Sequence, residues 1–406
     1  MERILLGQLG ANGDCLYATI LARQLRRDYP RAYITWAISS QCANLLLNNP
    51  DINEIWKVPV PNWSEHERMW HNFEREAFRR YKQSDFDLVL LSQIWPNNFQ
   101  NFDGTVRPSV LRSYGRPITV PIENVICLSN DEIERVDGFV REHGINNFEN
   151  RILFECSSKS GQSFVTPDLA QTIADYIYAL LPDSTVIFLT NLPMTLRDPR
   201  SRYAGNLSLR ECAALTHHCS LFLGCGSGGT VAASSTASKS LPMMLMLSAH
   251  TSALASFAHD FEYFGITDHE VVETTCEDPL RIATAAAIIC QEGVAVAREK
   301  IENGIPIRFE FYCQSIEICL LRRLRFLDAA RSVTATSVRY GWTKELIDFS
   351  VNRILPKLSH DASWLFSSNR HFGEEFRAQV MEAEAAPAKE ARQVPGGALS
   401  LLEGRR

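Results

Sequence analysis

The sequence lacks several things, and each absence narrows what it encodes. It has no run approaching the ~20 apolar residues of a membrane-crossing helix. No signal-peptide pattern opens it, because Arg3 and the short run Ile4-Leu5-Leu6 lead straight into a glycine-rich turn. Basic residues are not in excess: 41 Lys and Arg face 47 Asp and Glu, a formal charge of −6. That balance argues against nucleic acid as the main partner. The eleven cysteines are an odd number with no C-x-x-C pair and no zinc-finger spacing. They read as reduced, buried, small hydrophobes of a cytoplasmic protein. No metal site is expected, since His250, His259 and His269 also lack ligand spacing. No internal repeat is present.

What is there is an ordinary globular composition, 45% hydrophobic and 22% charged over 406 residues. That length suggests two domains. Strand-like runs alternate with helix-like ones. Strands are predicted at 4–6, 33–38, 54–58, 87–92 and 118–122, with helices at 15–28, 41–48 and 65–83. Residues 93–117 read as loop. The polar stretch 144–150, "GINNFEN", reads as a linker, after which the alternation restarts. Strands are predicted at 152–156, 185–190, 221–224 and 243–247, with helices at 167–181, 209–217 and 230–238. Ser208 and Glu211 form a capping box for the second of these helices. Helices follow at 279–302, 308–331 and 343–355. Two successive βα runs imply an α/β protein with two doubly wound domains and a helical extension. The expected divisions are 1–147, 148–305, a helical part 306–381, and a disordered tail 382–406 rich in Ala, Glu, Pro and Gly.

Three loops carry candidate chemistry. The first is "GQLGANGDC", residues 7–15. Its glycines are spaced G-x-x-G-x-x-G, not the G-x-G-x-x-G of dinucleotide binding. Asp14 stands at the entrance of the following helix. It can be a helix cap, stabilised by orphan amides and the helix dipole. It can also be the general base of an enzyme. Either way those amides are expected to depress its pKa and keep it ionised. The second loop lies in "LFLGCGSGGTVAASS", 221–235. Gly226, Ser227, Gly228, Gly229 and Thr230 sit between a strand and a helix, where free amides suit phosphate. It is no Walker A loop, since no G-K-[ST] follows. The third is "ECSSKSGQSF", 155–164, in which Ser157, Ser158 and Lys159 offer hydroxyls and a cation near the same sheet edge.

The opening stretch resembles that of the family-9 glycosyltransferases, which include ADP-heptose lipopolysaccharide heptosyltransferases. Gly13-Asp14, Arg26-Arg27-Asp28-Tyr29-Pro30 and Asn49-Pro50-Asp51 carry the likeness, as does "LSLRECAALTHHCSLFLGCGSGGTVAAS". It spans roughly 1–60 and 150–250. The resemblance implies a GT-B fold, two Rossmann-like domains facing a cleft, and no cofactor. It implies inverting, metal-independent transfer from a nucleotide diphosphate sugar. Asp14 matches the expected base, with Gly10, Asn12 and Gly13 shaping the acceptor side. Ser157, Ser158, Lys159 and 226–230 fall on the donor side. The family's loop Asp and His fall at Gly226 and Val231 here.

The resulting expectation is a cytoplasmic glycosyltransferase using a nucleotide-sugar donor and a glycan, glycolipid or protein acceptor. It would work without nucleic acid and in peripheral contact with the inner face of a membrane. A nucleotide-sugar epimerase on the same scaffold is the alternative, as is a catalytically reduced nucleotide or glycan binder.

Overall fold

In the computed structural model, the described residues are 1–386 apart from 61, 268, 301–304 and 306–307. The strands build two parallel sheets. In the first, β1 (Arg3–Gly7), β2 (Tyr33–Ser39), β3 (Glu54–Val58) and β4 (Leu88–Leu91) lie in the order β3-β2-β1-β4. The second contains β5 (Asn150–Glu155), β6 (Ser184–Leu189), β7 (Ser201–Tyr203), β8 (Leu221–Gly224), β9 (Met243–Met246) and β10 (Val271–Thr274), in the order β10-β9-β8-β5-β6-β7. Both are doubly wound. Ile4, Leu5 and Leu6 of β1, and Ile152, Leu153 and Phe154 of β5, have no exposed surface. Such continuous apolar runs belong in strands covered on both faces. Strand order reverses between β1 and β4 in the first sheet and between β5 and β8 in the second. Crevices at such switch points, beyond the carboxyl ends of the strands, are where open α/β sheets hold ligands.

Two compact units make up the described residues: 1–90 with 118–305, and 91–117 with 308–386. Within the first unit, Arg210 ties the two sheets' neighbourhoods together. It is 2% exposed. Its guanidinium donates to both carboxylate oxygens of Glu132, at 2.7 and 2.8 Å. It also donates to the carbonyls of Leu47 (2.9 Å), Leu45 (3.3 Å) and Cys127 (2.6 Å). Glu132 belongs to the helix Asn130–Glu142, where it closes a capping box with Ser129. The hydrogen bonds from Arg210 hold the Glu132 carboxyl down at about 2.

The second unit joins segments far apart in sequence. Asp103, with no exposed surface, pairs with Arg112 at 2.7 Å and with Arg339 at 3.4 Å. Burial pushes its carboxyl up, but the two guanidiniums outweigh it and hold it near 2. Ser332 donates to the Phe102 carbonyl at 2.5 Å and shares a hydrogen bond of 2.8 Å with Tyr312. Residues 93–117, expected as loop, thus contain the helix Val106–Arg112 and form part of a helical core.

Other expectations need correction. Residues 118–122 form no strand. The amides of Thr119 and Val120 donate instead to the side-chain oxygen of Gln24 (2.7 and 3.2 Å), a substitute for a ladder. The helix expected at 41–48 is only a 3₁₀ turn, Ala43–Leu46. The 230–238 helix is Gly228–Ala232. The 279–302 helix breaks at Gly293, where φ is 88°. The 308–331 helix divides into Glu310–Cys319 and Phe326–Tyr340 around Leu324, at φ 59°. The 343–355 helix is Lys344–Phe349, continued by the π turn Ser350–Ile354. The helix Ser367–Ala385 runs into the tail expected at 382–406, and 387–406 lie outside the described residues.

Replacing Arg210 with Met leaves a half-buried carboxylate and several carbonyls without their donor, so urea unfolding should show a loss of about 1–3 kcal/mol. Glu132 has a folded pKa below its ordinary 4.5, so its contribution is full above that value. It is lost as pH falls toward about 2, and Arg210→Met should flatten wild-type stability over that interval.

Candidate active site

At the first switch point the chain leaves β1 and stays pinned beside β2. The amide of Gln8 donates to the Ala37 carbonyl (3.1 Å) and that of Ser39 to the Leu9 carbonyl (3.0 Å). The buried Gln8 side chain donates to the Gly10 carbonyl at 2.9 Å, and the Trp36 indole donates to the Gln8 carbonyl at 3.2 Å. This fixed loop delivers the helix Asn12–Asp28. Its N-cap is Ala11, with no side-chain cap, and Asp14 is the third helical residue. Asp14 is therefore not the cap. Its carboxylate reaches back to the Ala11 amide, one half of a capping box.

The expected depression of its pKa does not occur. Burial raises the Asp14 carboxyl to about 7, against the single opposing bond from Ala11. Asp14 nonetheless keeps some accessible surface. A group surrounded by protein but reachable by solvent is what a crevice floor provides. A carboxyl titrating near neutrality is suited to proton transfer at physiological pH.

At the second switch point the glycine-rich loop leaves β8. Its polar groups do not stand open. They converge on Glu155, the last residue of β5, which is 3% exposed. One carboxylate oxygen accepts from the Gly229 amide (2.7 Å) and the Ser227 hydroxyl (2.5 Å). The other accepts from the Cys225 amide (3.0 Å) and the Thr230 hydroxyl (2.6 Å). The Gly226 amide donates to the Thr230 hydroxyl at 3.1 Å. A β-carbon on Gly229 would lie 2.4 Å from the carboxylate oxygen, which is why glycine stands there. The helix that follows has five residues and supplies little dipole.

The two switch points meet. A β-carbon built on Gly228 would stand 3.3 Å from the β-carbon of Asn12. One on Gly13 would stand 3.4 Å from a Val231 methyl and 3.8 Å from the Gly228 α-carbon. Asn12 and Gly13, which precede Asp14 in the helix, therefore adjoin Gly228 and Val231. Asn124 braces the junction, donating to the Val231 carbonyl at 3.2 Å and accepting from the Thr236 amide at 2.8 Å.

Among the other expected residues, Ser157 shares a hydrogen bond of 2.8 Å with Thr190. Ser158 is half-buried and Lys159 exposed, both just beyond β5. Gly10 is buried and accepts from Gln8. Sequence reasoning missed Glu155, although it stood in the quoted stretch. Its signal was an acidic residue closing the apolar run Ile152-Leu153-Phe154.

The shift at Asp14 carries a stability cost. Its folded pKa lies above its ordinary 3.8, so the cost is complete above about 7 and fades as pH falls toward 4. Asp14→Asn keeps the shape without the charge, and should raise stability by about 1–4 kcal/mol at pH 8. In thermal unfolding that advantage should vanish by pH 4.

No protein-family profile and no curated protein matches this sequence. Several solved structures are similar to it. One is the crystal structure of the glycosyl transferase family 9 from Veillonella parvula, 16% identical, covering 73% of this chain and 96% of that one, at a TM-score of 0.49. Another is E. coli ADP-heptose lps heptosyltransferase II, 14% identical over 74% of this chain and 100% of that one, at 0.46. A third is E. coli heptosyltransferase WaaC with ADP, 13% identical over 73% and 99%, at 0.45.

Proposed function

We propose that this protein is a glycosyltransferase that moves a sugar from a nucleotide diphosphate donor to an acceptor hydroxyl, with inversion and without a metal. The observation that carries the reading is Asp14: a carboxyl raised to about 7, at one switch point and following Asn12 and Gly13, which adjoin the other. A base must be largely ionised at working pH yet basic enough to take a hydroxyl proton, and a pKa near 7 satisfies both.

In this mechanism Asp14 removes the proton as the acceptor oxygen attacks the anomeric carbon. The bond between that carbon and the diphosphate oxygen breaks on the opposite face, and the configuration inverts. Gly10, Asn12 and Gly13 shape the acceptor side. The departing diphosphate is met by Ser158 and Lys159 beyond β5, with the 226–230 loop flanking it and Ser157 holding the adjoining turn through Thr190. The acceptor class we propose is a glycan, a glycolipid such as a lipopolysaccharide precursor, or a protein. The proposed setting is the cytoplasm, in peripheral contact with the inner face of the membrane.

The test pairs binding with turnover. A panel of nucleotide sugars is screened by thermal shift, since a ligand of the native state alone raises apparent stability. The stabilising donor is then assayed with hydroxyl acceptors. Asp14→Asn should lower transfer by roughly 10²–10⁴-fold while donor affinity holds. The wild-type rate should rise with pH through about 7 and then level, as the base ionises. Donor turnover that ignores acceptor and yields an epimer would assign the scaffold to epimerase chemistry. Binding with no turnover would leave a nucleotide or glycan binder.

A further inference from the structure

The loop after β8 has the composition of an anion cup, and in this chain the cup is full. Four donors of two kinds, the amides of Cys225 and Gly229 and the hydroxyls of Ser227 and Thr230, all point at one carboxylate. Each oxygen of Glu155 takes two of them, at 2.5–3.0 Å. Hydrogen bonds to an ionised acceptor are the stronger kind. Two more contacts close the arrangement. The Cys225 thiol lies 3.0 Å from the Glu155 carbonyl, and the Val231 amide donates to the Ser227 carbonyl at 3.0 Å. Nothing of the size of a phosphate fits between Gly229 and the carboxylate, where a single β-carbon would already collide.

We propose that Glu155 is a resident anion. Its carboxylate reaches into loop 225–230 from the sheet side and occupies the seat a ligand phosphate would need. It thereby excludes phosphate from that loop and leaves the donor's phosphates to Ser158 and Lys159. A phosphate entering the loop would have to expel a buried carboxylate or lie against its negative charge. The same bonds hold the loop rigid where Gly228 abuts Gly13, so Glu155 is a positioning residue for the Asp14 neighbourhood. The donor's identity rests on the proposed transferase reading; the occupancy of the seat does not.

The test is chemical rescue. Glu155→Ala empties the seat and leaves four donors facing a cavity, so the melting temperature should fall by several degrees. Formate at millimolar concentration should then restore most of the loss saturably, with no effect on wild type. Inorganic phosphate should likewise stabilise only the variant. A wild-type protein stabilised by inorganic phosphate, with the effect lost in Ser227→Ala, would overturn the proposal. So would a Glu155→Ala protein that folds but responds to neither anion. If that variant does not fold, Glu155→Gln reads the same point, because its amide can accept at one position only. It should melt lower than wild type, with faster hydrogen exchange at the Cys225 and Gly229 amides. Equal stability and unchanged exchange would overturn the proposal. None of these readouts depends on transfer activity, so failure here and failure of the transferase reading are separable.

Discussion

Two backbones pass almost in contact at Gly13 and Gly228, and the candidate site depends on that approach. A side chain larger than a methyl at either position would push the opening helix away from the loop after β8. Around this point the chain spends its strongest polar contacts. Arg210 gathers Glu132 and three carbonyls from the first half and the connector. Asn124 joins the connector to the segment beyond Val231. The two switch points are held together by bonds whose loss would expose buried charge, which is why small residues at the junction are tolerable.

Buried carboxyls in this protein are provisioned very differently. Glu155 receives four donors and serves the loop. Glu273 is also buried and accepts from the Ser256 hydroxyl and the amides of Phe257 and Ala258. Burial still lifts it to about 7, yet those bonds commit it to opening the helix Phe257–Phe264. Asp14 shares the raised pKa but has one backbone bond and retains accessible surface. The shift alone does not distinguish the two. Position at a switch point and access to solvent do.

The second unit obeys a similar economy. Asp103 sits without exposed surface between Arg112 and Arg339, from segments more than two hundred residues apart in the chain. Phe102 stacks on Tyr312 with ring centroids 5.9 Å apart. A short insertion after β4 and the late helices share one core, so neither buries its apolar face alone.

Local pattern was enough for the strands of both sheets' centres, because an apolar run between turns has few other uses. Capping chemistry was equally local: Ser208 and Glu211 behave as their spacing dictates, and Ser129 with Glu132 carried the same signal for a helix that went unpredicted. Asp14 could be singled out from the sequence, but its protonation could not. The helix start argues for a lowered pKa, and only the protein packed around it raises it to about 7. The glycine-rich loop shows the limit most clearly. Its residues determine that an anion is bound, since amides and hydroxyls at that spacing need an acceptor. Whether the anion arrives with a ligand or from the chain itself is decided by the strand 70 residues earlier, which places Glu155 beneath the loop. Hydrogen-bond donors encode a demand locally; pairing of β5 with β8 across the sheet supplies what meets it.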